Sequence, residues 1–293
     1  MTPPNSISIP GARAITYEAI KTSRALFAYR WVSTALLVAL FWKWSYFRVF
    51  DAIYAEYPLH DPFFPAWLQS NGSLRIAYLG GSAAILMGIV TTSSRARKFY
   101  ALLGLSGATV LVCHQGSFND MTFATAWWTS LWATWLAFRL DYVEQLAPPH
   151  RAAEQDRLLR RAALLSRAIC SMILLGGAMG KWTSEYWSGQ VFYEIYFVDR
   201  DFWLFNALRA SFDDGTLREI ATWYSRQVVV VETVAGLSLW ALPARYAAVI
   251  GVVIFTSIAL LSNFLLFSVL LSLIALVSVG WLSGPPQRVR GLC

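Results

Sequence analysis

From Tyr246 to Leu282 no charged side chain interrupts the sequence. A single helix over that stretch would run about 55 Å at ~1.5 Å per residue, nearly twice a ~30 Å hydrocarbon core. The run therefore reads as two membrane spans turning at Ser262-Asn263. The rest of the chain shares this character, with 57% hydrophobic and only 14% charged residues. Roughly a quarter of the residues are charged in a soluble domain. The expected fold class is all-α: a polytopic integral membrane protein with about eight transmembrane helices. They are expected at about 26–47, 74–92, 98–114, 121–138, 162–180, 227–242, 245–262 and 263–283. Gly104 and Gly107 mark the third as a helix that packs closely on its neighbours.

Three stretches follow from this division. Residues 1–25 read as a cytoplasmic or interfacial segment and 26–283 as the membrane domain, with a long outer loop at 181–227. Residues 284–293 read as a cytoplasmic tail. The first 25 residues hold no apolar core followed by a small-residue cleavage site, so the first span is expected to serve as its own insertion signal.

Charge fixes the orientation. With the N-terminus inside, the cytoplasmic segments collect Arg13, Lys21, Arg24, Arg95, Arg97, Lys98, Arg139, Arg151, Arg157, Arg160, Arg161, Arg245, Arg288 and Arg290. The short outer loops hold only Arg48 and Arg75. The positive-inside rule then predicts an inner (plasma) membrane protein with both termini cytoplasmic. The same bias accounts for the net charge of +7 without a nucleic-acid partner. Cys113, Cys170 and Cys293 lie far apart, with no C-x-x-C and no Cys/His cluster, which argues against a disulfide framework or a zinc site. No metal site is expected, and no P-loop, dinucleotide fingerprint or haem attachment motif is present.

This topology gathers the unusual polar residues on the outer side: His60, Asp61, His114, Asn119, Asp120, Lys181, Glu185, Glu232 and Asn263. Lys181 follows the apolar run Ile169–Met179 and opens the polar segment. Desolvation lowers the proton affinity of an amine, so a lysine there suits a general base. It equally suits an interfacial anchor, with Trp182 and Trp187 as belt residues. Glu232, inside Val-Val-Val-Val-Glu-Thr, is costly at that depth and needs a partner. It is either a proton-handling carboxylate or one half of a structural pair with Arg226 or Lys181. Arg30 and Lys43 lie near the ends of the first span and read as snorkelling side chains. His60 and His114 are either proton carriers or solvent-exposed loop histidines. Trp127, Trp128, Trp132 and Trp135 recur at helical spacing, as an aromatic wall for a quinone ring or as packing residues.

These residues together resemble the horizontally transferred transmembrane domain family. That family includes the membrane part of vitamin K-dependent gamma-carboxylase and the membrane protein that matures the sporulation-delaying toxin. The resemblance is carried by Gly180-Lys181 at the end of an apolar helix and by Trp187-Ser188-Gly189 after it. Glu232 in the next helix, Phe118-Asn119, Asn263 near the last helix and Arg30 in Phe-Ala-Tyr-Arg-Trp also fit. The sequence departs from the carboxylase at Leu260 and at Asp120-Met121, where histidines are expected, and in a Lys181-to-Trp187 spacing one residue longer. These departures, with no carboxylase-like C-terminal extension, favour the toxin-maturation branch or a stand-alone member. What the resemblance implies is a membrane-embedded modifying or redox-linked enzyme, or an essential subunit of one. It would act at the outer face on a quinone-like molecule or an exported peptide, with Lys181 as base. Glu232 would position or relay the proton, and Asn119, Glu185, Trp187 and Asn263 would contact substrate. A quinone is the cofactor class considered; the lipid bilayer and an exported peptide or partner subunit are the partners. The alternative is a non-catalytic membrane partner for maturation, export or immunity of a secreted peptide.

Overall fold

The computed structural model describes residues 12–59, 62–114, 116, 120–262 and 264–284. Among them every regular element is helical and none is a strand, so the protein is all-α. The helices are α1 (Ala12–Trp42), α2 (Trp44–Glu56), α3 (Asn71–Val90), α4 (Ser94–Cys113), α5 (Met121–Glu144) and α6 (Pro148–Gly180). They continue as α7 (Ser184–Trp187), α8 (Gln190–Tyr193), a π turn (Glu194–Val198), α9 (Trp203–Ser211), α10 (Asp214–Ala241), α11 (Ala244–Leu261) and α12 (Phe267–Leu282). The chain divides into two compact units. The described parts of Met1–Ala162 and Leu282–Cys293 form one, and Ala163–Trp281 forms the other.

The expected spans fall mainly on helix, although the first crosses the break at Lys43 and the last begins in the turn at 264–266, and fewer than the expected eight have the length and apolarity of a membrane span. Among the described residues there are five: Arg24–Trp42, Asn71–Val90, Ser94–Cys113, His150–Gly180 and Ala244–Leu261. The shortfall has three local causes. Four tryptophans and the threonines at 122, 125, 129 and 134 lower the hydropathy of α5. The first half of α10 carries Asp214, Arg218, Glu219 and Arg226, and α12 is only 16 residues long.

In the first unit, side-chain oxygens set the helix starts. Ser70 accepts from the Ser73 N–H (3.1 Å), Ser93 from Ala96 (3.4 Å) and Asp120 from Thr122 (2.7 Å), satisfying N–H groups that no helical carbonyl reaches. Helices α3 and α4 pack backbone to backbone. A Cβ on Gly107 would lie 2.8 Å from the Ala77 carbonyl oxygen and 2.9 Å from Gly81 Cα, so the close packing read from the sequence requires glycine there. Leu36, Leu40, Phe47, Leu74, Tyr78, Ile85, Leu111 and Phe123 make a core among α1 to α5.

Two tryptophans of the α5 stripe make packing contacts. Trp132 is buried and donates to the Ala162 carbonyl at 3.1 Å, while Trp127 donates to the Thr109 hydroxyl of α4 at 3.1 Å. His114 departs from the exposed loop histidine that the sequence allowed. It is fully buried, its Nδ1 accepts the Gly116 N–H at 2.9 Å, and its Nε2 lies 3.1 Å from the Ser70 carbonyl. His60 lies outside the described residues.

In the second unit, the last part of the expected outer loop, 214–227, and the span expected at 227–242 are one helix. Asp213 caps α10 by accepting from Gly215 (3.1 Å) and Thr216 (3.4 Å), and the helix runs on through Gln227 to Ala241. Pro243 follows the end of α10 and precedes α11. Phe192, Phe197, Phe205, Leu217 and Ala221 form a separate small core from the π turn, α8, α9 and the amphipathic start of α10. Phe264 turns the chain between α11 and α12 with φ of 57°, in the left-handed region that a bulky side chain seldom enters.

Candidate functional site

The apolar run of α6 ends at Gly180, and Lys181 follows in a turn whose N–H still reaches the Ala178 carbonyl at 3.0 Å. Its side chain meets Glu232, in the middle of α10. Lys181 Nζ lies 2.5 Å from both Glu232 Oε1 and Oε2. The lysine side chain keeps 27% of its exposure and the glutamate side chain 10%. Of the two partners the sequence allowed Glu232, the structure selects Lys181. Arg226 instead donates through Nε to the Trp187 carbonyl at 3.2 Å.

One turn before the lysine, Gly177 leaves room beside the pair. A Cβ there would stand 3.5 Å from Glu232 Oε2 and 3.8 Å from Lys181 Nζ. The Tyr186 ring centre lies 6.0 Å from Nζ. Burial and the negative charge of Glu232 raise the proton affinity of the Tyr186 phenol above its ordinary value. An ammonium, a carboxylate and a phenol thus converge at the end of α6.

The side of α6 that leads to Lys181 also carries Arg167 and Ser171, two polar residues that the sequence reading missed. Arg167 donates to the carbonyls of Leu242 (2.7 Å) and Leu239 (3.3 Å), occupying acceptors that the end of α10 leaves free. Ser171 donates to the Gly236 carbonyl at 2.7 Å and accepts from Trp240 Nε1 at 2.7 Å. Positions 167, 171 and 181 are separated by four and ten residues and so recur near one side of the helix. The available signal was an arginine inside an apolar helix, which has to find oxygen partners.

The other residues expected in the site fall elsewhere. Trp187, Ser188 and Gly189 dock the segment after α6 onto α10. Thr222 Oγ1 donates to the Ser188 carbonyl at 2.7 Å. Gly189 has φ of 80°, and a Cβ there would lie 2.4 Å from the Thr222 nitrogen. The Trp-x-Gly spacing is thus accounted for by one turn and one close backbone approach. The Trp187 ring lies 5.3 Å from that of Trp182. Glu185 is exposed in the first turn of α7. Its own backbone N–H, with Ser184 and Thr183, holds its carboxyl below the usual range. Asn119 and Asn263 lie outside the described residues.

The first unit holds its own cation–carboxylate pair at the break between α1 and α2. Lys43 Nζ lies 2.9 Å from Asp120 Oδ2, with 17% and 13% side-chain exposure. Lys43 is therefore paired where the sequence suggested snorkelling. Burial pushes the Asp120 carboxyl up, but hydrogen bonds from Thr122 and Lys43 outweigh it and leave the group below its ordinary value.

No protein-family model, curated protein or solved structure matches the chain.

Proposed function

We propose that the chain is an inner-membrane protein with cytoplasmic termini whose Lys181–Glu232 pair handles protons at the outer boundary. In this reading it is a modifying or redox-linked enzyme, or an essential subunit of one, of the horizontally transferred transmembrane domain kind. It acts on a quinone-like molecule or an exported peptide. Five helices of spanning length and apolarity and the cytoplasmic excess of Lys and Arg support the membrane placement.

The observation that carries the proton role is the pair itself: an amine and a carboxylate in contact at the end of an apolar helix, with glycine on the adjoining turn. Moving one proton from Nζ to Glu232 turns ammonium and carboxylate into amine and carboxylic acid with no change in net charge. In that form the Nζ lone pair takes a proton from an acidic C–H or O–H of the substrate, and Glu232 passes its own proton to solvent. Tyr186 stays protonated beside them and donates a hydrogen bond to the anion that forms.

The alternative is a non-catalytic partner for maturation, export or immunity of a secreted peptide. It is favoured by a carboxylate with both oxygens already engaged by Nζ and by the docking use of Trp187, Ser188 and Gly189. Complementation of a deletion strain separates the two. Lys181→Arg keeps the charge but cannot serve as a base near neutral pH. Base chemistry requires Lys181→Arg and Lys181→Ala both to fail at wild-type expression. Rescue by arginine alone assigns the pair to the scaffold, and rescue by both variants removes it from the function.

A further inference from the structure

A second polar site lies where the apolar stretch of α1 begins, in the other unit. The ridge Arg24–Phe27–Arg30 and Leu26 border a surface hollow of about 280 Å³. The partly buried cations Lys43, Lys98 and Lys181 and the buried Arg97 each meet a carboxylate. Arg24 and Arg30 meet none among the described residues. Arg24 donates to the Leu282 carbonyl, a neutral acceptor. Arg30 Nε is buried without an acceptor, which leaves a charged donor desolvated and unpaired.

Two guanidiniums around one hollow repel each other unless an anion lies between them. A tetrahedral phosphate matches their planar N–H forks better than a single carboxylate does. The surroundings point to a lipid source. Phe27, between the two arginines, is 55% exposed, and the apolar stretch Arg24–Trp42 begins here. A headgroup phosphate on the arginines would lay its acyl chains along that apolar surface.

We propose that Arg24 and Arg30 bind the phosphate group of a membrane phospholipid where the apolar stretch of α1 begins. This rests on the membrane placement proposed above and is independent of the Lys181 chemistry. The test is native mass spectrometry of the full chain in detergent, titrated separately with phosphatidylglycerol, with diacylglycerol of the same tails, and with inorganic phosphate. The expected result is saturable phosphatidylglycerol binding that falls about tenfold or more in Arg24→Gln/Arg30→Gln. Arg48→Gln, an exposed position on α2, should leave it unchanged. Arg30→Lys keeps the charge but loses the Nε donor, and is expected to weaken binding severalfold even where the double variant misfolds.

Equal phosphatidylglycerol binding by wild type and Arg30→Lys, or diacylglycerol binding as tight as phosphatidylglycerol, overturns the site. Inorganic phosphate binding as tightly as the lipid, and lost in the variants, overturns the lipid assignment in favour of a soluble anion. Co-flotation of the wild type with vesicles tests the membrane placement separately. A chain that does not float removes both readings, whereas one that floats without preferring phosphatidylglycerol removes only this one.

Discussion

Truncating the two ends of the Lys181–Glu232 pair separates a buried ion pair from a surface one. Lys181→Met leaves a carboxylate only 10% exposed without its cation. Breaking a buried pair from one side costs roughly 3–5 kcal/mol. Because the lysine side chain is 27% exposed, water reaches part of the space it leaves, and the expected cost is about 2–3 kcal/mol. Glu232→Leu strands the more exposed partner and should cost about 1–2 kcal/mol. The double variant Lys181→Met/Glu232→Leu removes both charges and retains apolar volume, for a net cost of about 0–1 kcal/mol. A coupling energy of about 3–4 kcal/mol follows from these values. Reversible unfolding in mixed micelles by added SDS, followed by circular dichroism, measures all four corners of the cycle. Additivity within about 0.5 kcal/mol would mean that the pair is not formed as described. A larger cost for Glu232→Leu than for Lys181→Met would refute the burial asymmetry. A double variant that folds but fails complementation would assign the pair to function rather than stability.

Three further outcomes are expected. Gly189→Ala forces a Cβ to 2.4 Å from the Thr222 nitrogen at φ of 80°, and should release the 182–199 segment to limited proteolysis at a cost of about 3 kcal/mol or more. Gly176→Ala, where a Cβ meets nothing within 4 Å, should leave cleavage unchanged. Arg167→Met leaves the Leu239 and Leu242 carbonyls without their donor, and should cost about 1–3 kcal/mol and speed hydrogen exchange at the end of α10. Burial lowers the proton affinity of His114 below its ordinary value, against the opposing hydrogen bonds to Ser70 and Gln69. The unfolded chain therefore binds that proton first. Stability should be complete above pH ~6.5 and decline as pH falls from there through the lower folded value. His114→Gln should flatten that part of a melting-temperature profile against pH.

Much of the framework was legible in the sequence because spanning-length apolar runs and their capping residues are local signals. Ser70, Ser93 and Asp120 supply the side-chain oxygens that start α3, α4 and α5. Counting spans was harder, since it depends on hydropathy as well as helicity. The tryptophans and threonines of α5 form a helix as readily as leucines do, yet reduce its apolarity. The boundary expected at 227 does not appear as a helix end. Nothing at Gln227 breaks a helix, so the amphipathic stretch and the apolar stretch join into α10.

In the candidate site, the sequence marked Lys181 and Glu232 as the costly residues, because a charge beside an apolar run is visible without coordinates. Which cation answers Glu232 was not visible, since Lys181 and Arg226 were both candidate partners. The same holds for Gly189, whose φ and approach to Thr222 depend on a helix more than thirty residues away. By itself the sequence determined that the chain is helical, that its apolar segments are long, and which charged groups would need partners; these follow from composition and periodicity along the chain. Tertiary structure alone decided that Lys181 meets Glu232, that Arg167 caps α10, that His114 is buried, and that Arg24 and Arg30 meet no carboxylate among the described residues. Each depends on how residues distant in sequence are brought together, and residue spacing carries no direct record of that.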